Sequence, residues 1–266
     1  MIDRGKKNIL GILIDAVDYE AALNAVMDAA RNGQGFSVSA LAVHGVMTGV
    51  FSAEQRHRLN HLDLVTPDGQ PVRWAMNLLH HAKLPDRVYG PTLTLKVMEA
   101  CGREHIPIYL YGTTSALLAE LRKTLEVKVP DLEIAGCEPS LFRAISHKER
   151  VEIACRIRAS GARITFVGIG CPRQEIWSYE FRDLLSMPVL AVGAAFPFIA
   201  GSLPQAPNWM QSRGLEWLFR LAAEPKRLWK RYVLLNPLYL AMVGLQLCGK
   251  KFSHEGVIPA PGPIPG

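Results

Sequence analysis

Residues 163–175 read RITFVGIGCPRQE: an apolar, β-branched run that closes on Gly168-Ile169-Gly170 and passes directly into polar residues suited to a helix. A strand apolar at nearly every position is covered on both faces, as central strands of parallel sheets are. Working outward, residues 106–115, IPIYLYGTTS, repeat the pattern: apolar strand, glycine, then the hydroxyl residues that start helices. Further strand-like runs lie at 8–14, 36–43, 63–66, 132–137 and 188–192, and helix-period stretches at 19–31, 115–128 and 147–159 fall between them. This alternation predicts an α/β fold, a Rossmann-like, largely parallel sheet with helices on both faces.

The pattern changes near Pro204. Residues 209–222 and 226–246 read as helices separated by Glu224-Pro225, with no further strand. We therefore divide the chain into an α/β core (1–204), a basic amphipathic helical appendage (205–250) and a Pro/Gly-rich tail (251–266) expected to be disordered. The net charge of +6 is concentrated in the appendage, where six Lys/Arg face only Glu216 and Glu224 between positions 213 and 231. Such a cluster suits a nucleotide, a lipid pyrophosphate or an anionic membrane surface, and equally a plain solvated face. The run VLLNPLYLAMVGLQLC (233–248) is too interrupted by Asn236, Pro237 and Gln246 for a spanning helix. Residues 1–18 lack the features of a signal peptide, and the five cysteines contain no C-x-x-C pair. Reduced thiols and a cytoplasmic location are expected.

In open parallel sheets, ligands bind beyond the carboxyl ends of the strands. Four loops there carry chemistry. In Thr66-Pro67-Asp68-Gly69-Gln70-Pro71, Asp68 is either a turn or helix-cap residue, the commoner role, or a general base. In Gly168–Glu175, glycines and a helix start would admit a phosphate, with Arg173 adding charge and Gln174 a polar edge; a ligand-free tight turn is the competing reading. Gly112-Thr113-Thr114-Ser115 is a third strand-to-helix turn, in which Thr114 or Ser115 serves as a cap. In Arg87-Val88-Tyr89-Gly90-Pro91, Arg87 is either surface or a bidentate anion ligand.

Some chemistries find no motif. There is no D-x-D and no H-E-x-x-H, and the eight histidines form no zinc-like set, so neither metal nor cofactor is expected. His57 and His61, four residues apart, read as solvated surface. The lack of Tyr-x-x-x-Lys and of a full dinucleotide fingerprint weakens an oxidoreductase or epimerase, and no G-x-S-x-G marks a hydrolase. A non-catalytic protein of a polysaccharide assembly complex at the membrane surface stays open.

Taken in order, LVTPDGQPVRWA (64–75), RVYGPTL (87–93), IYLYGTT (108–114), FVGIGCPRQEIW (166–177), AVGAAFPFIAG (191–201) and the long block 203–232 ending EPKRLWKRY resemble the WecG/TagA/CpsF glycosyltransferases. The resemblance spans roughly residues 8–240. It implies an inverting, metal-independent transfer at the cytoplasmic membrane face. N-acetylmannosamine, its uronic acid or glucose would pass from a UDP-sugar to a polyprenyl-pyrophosphate-linked saccharide. It implies Asp68 as base and Arg87 as an active-site arginine. The nucleotide-sugar set becomes His44, Gly69, Gly112, Thr113, Gly168, Gly170, Arg173, Gln174 and Glu175. Arg220, Arg227 and Arg231 would face the diphosphate and the membrane. Nucleic acid is not an expected partner, and a homo-oligomer stays open. The resemblance departs at Ala42-Val43-His44, where the family carries a Thr-x-Asn-like segment, and at Thr92 and Pro197, where Asp is usual.

Overall fold

The computed structural model describes residues 1–266, apart from the side chains of Asn208, Ser212, Arg227, Lys230 and Arg231. Ten strands form in chain order: β1 (Asp3–Ile9), β2 (Ile12–Val17), β3 (Phe36–Leu41), β4 (Leu64–Pro67), β5 (Ile108–Gly112), β6 (Ile134–Glu138), β7 (Ala144–Ile145), β8 (Ile164–Gly168), β9 (Pro188–Ala191) and β10 (Ile264–Pro265). Six make one sheet in the order β4-β3-β9-β8-β5-β6, and every pairing in it is parallel. The expected α/β architecture with helices on both faces is the one observed.

Strand residues alternate between faces, and the alternation sorts the core. Ile108, Leu110, Ile164, Phe166 and Leu190 point to one side, where helices Tyr19–Asn32, Gly90–Arg103, Ser115–Lys128 and Ala195–Ala200 cover them. Tyr109, Tyr111, Val167 and Val189 point to the other, against helices His147–Ala159 and Arg173–Leu185. There the indole of Trp177 stacks on Phe181 at 3.7 Å and on Tyr111 at 4.9 Å between ring centroids. Helix boundaries follow local chemistry. Asp18 accepts from the Ala21 amide to start the first helix, and Ser146 and Glu149 form a reciprocal capping box for His147–Ala159.

Two expectations fail at the ends of the chain. The run 8–14 is not one strand: β1 and β2 form an antiparallel hairpin that turns at Leu10-Gly11. Both turn residues have positive φ (55° and 91°), and the Asn8 carboxamide accepts from the Gly11 amide. The apolar Leu10 hides this turn in the sequence. The tail is not disordered along its length. Asn8 and Asn60 donate to the carbonyls of Phe252 and His254, the Val257 amide donates to Ala53, and Ile264 pairs with Ile145 as β10 meets β7. Composition reports that such a tail forms no helix, and says nothing about single anchors such as Ile264, which joins the core cluster around Trp177, or the backbone and asparagine hydrogen bonds that tie the tail down.

The stretch 209–222, expected as one helix, is broken at Gly214 (φ 73°) into Asn208–Ser212 and Glu216–Ala223, and the C-terminal segment continues through Pro225–Lys230, a π-helical turn at Arg231–Leu235 and Asn236–Leu247. The π turn stands just ahead of Pro237, which has no N–H to donate to the preceding turn. Tyr239 and Val243 bury themselves among Ile9, Val46, Val72 and Met76 and fasten the segment to the core. Trp229, Val233, Leu234, Leu240 and Leu247 remain exposed. Among the described residues, no helix is long and apolar enough to cross a membrane.

Candidate active site

The carboxyl ends of β3, β4, β5, β8 and β9 open on a cleft of about 570 Å³. Its wall includes His44 and Gly45 after β3, Asp68 after β4, Thr113 after β5, Gly168, Gly170, Arg173 and Gln174 after β8, and Arg220 from the C-terminal segment. Among the helices that start at this rim are Val43–Phe51 and Arg173–Leu185, and neither has a side chain capping its first amides. In the second, the Gln174 amide is taken by the Gly170 carbonyl, and the positive ends of both helices still favour an anion at the floor. A second cavity of about 130 Å³ lies between the core and the C-terminal segment. Asp68, His44, Tyr89 and Arg220 border both cavities; Gly69, Gln70, Arg87, Glu216, Trp217, Tyr232 and Asn236 border the second alone.

Asp68 is not a helix cap. Helix Gln70–His80 takes Gly69 as its N-cap and has no side-chain cap bond. The Asp68 amide is held by the Leu41 carbonyl. Its carboxylate has only long contacts, 3.5 Å from the Gly90 amide and 3.8 Å from Arg87 Nη1. Burial pushes its carboxyl up to about 6, against the pull of Arg87, with Glu216 adding a further upward push. A carboxylate of that strength, with unfilled acceptor sites facing a cavity, is suited to take a proton near neutral pH.

Arg87 is buried beside it. Its Nη2 donates to Glu216 Oε2 at 2.5 Å and to Gln211 Oε1 at 3.3 Å, and its guanidinium lies 4.3 Å over the Tyr89 ring. The Gln174 carboxamide is fixed at both ends, accepting from the Gly170 amide at 3.1 Å and donating to Glu175 Oε1 at 3.0 Å. Ser39 donates to the same Glu175 oxygen at 3.1 Å, and burial pushes the Glu175 carboxyl upward. Glu175 thus holds Gln174 from beneath. Arg220 Nε is buried with no hydrogen-bond partner among the described residues. No three His, Cys, Asp or Glu side chains among the described residues gather as a metal site.

A sequence model of the glycosyl transferase WecG/TagA/CpsF family matches residues 7–253, nearly the whole chain. The chain belongs to this family. It is a glycosyltransferase of cell-surface polysaccharide synthesis, and the oxidoreductase and epimerase readings fall away.

Within this WecG/TagA/CpsF glycosyltransferase, most residues singled out from sequence converge on the two cavities. Gly112 acts a layer below: a Cβ there would stand 2.8 Å from the Gly168 carbonyl carbon, so glycine lets β5 and β8 end side by side. Thr113 takes the left-handed backbone (φ 54°) at the cleft rim. The side chains of Arg227 and Arg231 lie outside the described residues. Pro197 lines the larger cleft, while Thr92 lines a separate hollow on the far side of Arg87. His57 and His61 stack at 3.9 Å away from these walls. Sequence reasoning missed Tyr89, Glu216, Trp217 and Tyr232. Only Tyr89 had a local signal, its place two residues from Arg87 in the segment between helices Gln70–His80 and Gly90–Arg103.

Proposed function

We propose that this glycosyltransferase moves a hexose or N-acetylhexosamine-type sugar from a UDP-sugar to a polyprenyl-pyrophosphate-linked saccharide at the membrane surface. The observation that carries the reading is the position of Asp68 on the wall shared by both cavities. The donor occupies the larger cleft, its diphosphate toward the uncapped starts of helices Val43–Phe51 and Arg173–Leu185 and toward Arg220. The acceptor sugar enters the smaller cavity, and its lipid lies along the exposed apolar side chains of the C-terminal segment, such as Trp229, Val233 and Leu234.

Transfer is then a single displacement. The acceptor hydroxyl oxygen bonds to the anomeric carbon as the bond from that carbon to the UDP oxygen breaks. The hydroxyl proton passes to Asp68, and UDP leaves with the bonding pair. Displacement from the face opposite UDP inverts the anomeric centre. Charge growing on the leaving diphosphate is met by Arg220, Arg173 and the helix amides, so no metal ion is required.

The test is incubation with a panel of UDP-sugars and a short-chain polyprenyl-pyrophosphate saccharide, with UDP release as the readout. The reading expects release with one donor, dependent on acceptor and unchanged by EDTA. Absence of release with every donor, or a strict Mg²⁺ requirement, would reject it.

A further inference from the structure

Glu216 stands outside the α/β core, at the first turn of helix Glu216–Ala223, yet it is among the most deeply buried charges of the chain (8% exposed). Burying a carboxylate is costly without a partner, and its partner comes from the α/β core. Glu216 Oε2 accepts from Arg87 Nη2 at 2.5 Å, across 129 positions of sequence. Arg87 therefore lies between two carboxylates, at 2.5 Å from Glu216 and 3.8 Å from Asp68. Its guanidinium is aligned with the more distant residue in sequence, not with the neighbouring Asp68.

We propose that Glu216 is a positioning residue of the active site: by holding Arg87 away from close pairing with Asp68, it keeps Asp68 a free base. The proposal rests on the transfer reading, in which Asp68 accepts the proton.

The physical argument is one of competition for a single cation. Without Glu216 and Gln211, only the Tyr89 ring would hold Arg87 from closing the gap to Asp68, and a tight, charge-assisted pair would weaken that carboxylate as a base. Glu216 takes the short bond and Gln211 a second one, and the Arg87 guanidinium lies over the Tyr89 ring. Asp68 keeps a contact too long for a hydrogen bond. The charged and titratable groups that face Asp68 are Arg87 and Tyr89 from its neighbouring loop, Tyr19 and His44 from the core helices, and Glu216 and Arg220 from the C-terminal segment. Glu216 is the acidic one of these six. Its negative charge opposes the two arginines, in keeping with its upward push on the Asp68 carboxyl.

The test uses the full-length protein labelled with ¹³C at aspartate side chains, the Asp68 signal being assigned by its loss in Asp68→Asn. In the uncomplexed protein the Asp68 carboxyl should titrate near 6. In Glu216→Gln, nearly the same shape without the charge, the midpoint should fall by about one pH unit. Glu216→Asp, which restores the charge, should move it back toward the wild-type value. If Glu216→Gln does not fold, Gln211→Leu, which removes the other bond holding Arg87 to the C-terminal segment, serves instead and should also lower the midpoint. An Asp68 midpoint unchanged by the available variant would overturn the proposal. This readout needs no substrate, so it separates from a failure of the transfer reading. Where turnover is measured, the acid limb of the rate should move down with the same substitution. A purely structural Glu216 would lower the rate in parallel at every pH.

Discussion

Asp15 and Asp68 are two buried aspartates in two regions, and burial pushes both carboxyls up to about 6. Asp15 lies in the seam between the β1–β2 hairpin and β4, where its Oδ2 accepts from the Val65 amide at 2.7 Å. It stands in for the strand that β4, at the edge of the sheet, does not have on that side. Asp68 lies beyond the end of the same strand β4, with contacts of 3.5 and 3.8 Å and a cavity on either side. A shifted carboxyl is thus common to both, while unfilled acceptor sites facing open space belong to Asp68. Access, more than perturbation, separates the chemical residue from the architectural one.

The comparison breaks most visibly in activity. Asp68→Asn should lower the rate of UDP release by about 10²–10⁴-fold, the range for loss of a general base, while Asp15→Asn stays within about threefold of wild type. Equal losses in the two variants would dissolve the distinction. Next in size is the surrounding charge. Arg87→Met leaves Asp68 and Glu216 buried without their common partner and should cost about 3–5 kcal/mol in urea unfolding. A loss below about 1 kcal/mol would mean that the pair behaves as a surface ion pair.

The two aspartates should look alike in the pH dependence of stability. Each has a folded-state pKa above its unfolded value, so the folded chain binds more protons between about pH 4 and 6 and wild-type stability falls as pH rises through that window. Relative to wild type, Asp68→Asn should therefore gain about 1–3 kcal/mol at pH 7–8, with the gain fading by pH 4. Asp15→Asn should follow the same curve if its amide oxygen keeps the Val65 bond. A gain independent of pH would show that neither carboxyl carries the strain. Smallest is Ser39→Ala, which removes one donor from the buried Glu175 beneath Gln174. It should cost about 1 kcal/mol in unfolding and leave turnover within about twofold.

The parallel sheet could be read from sequence because runs such as 106–112 and 163–169 are apolar on both faces, a pattern that few other elements share. The hairpin could not, since Leu10 is a poor advertisement for a turn with positive φ. Asp68 was visible because it sits directly after a strand; Arg87, read as following a strand, lies instead between helices Gln70–His80 and Gly90–Arg103 and was visible only as a loop arginine. Glu216 was not: its meaning comes from Arg87, and only the docking of the C-terminal segment brings the two together. Gly112 was visible as a loop glycine, but its neighbour is the backbone of β8, which no local pattern reveals.

The central claim is that Asp68 takes the proton of the acceptor. It is tested most directly by the pH dependence of UDP release between pH 4.5 and 8 in wild type and in Asp68→Asn, with stability checked across the range. The account predicts a wild-type rate that climbs through an acid limb centred near 6, the value to which burial raises this carboxyl, and a slow Asp68→Asn whose residual rate lacks that limb. An acid limb that persists unchanged in Asp68→Asn would assign the proton to another group and contradict the account.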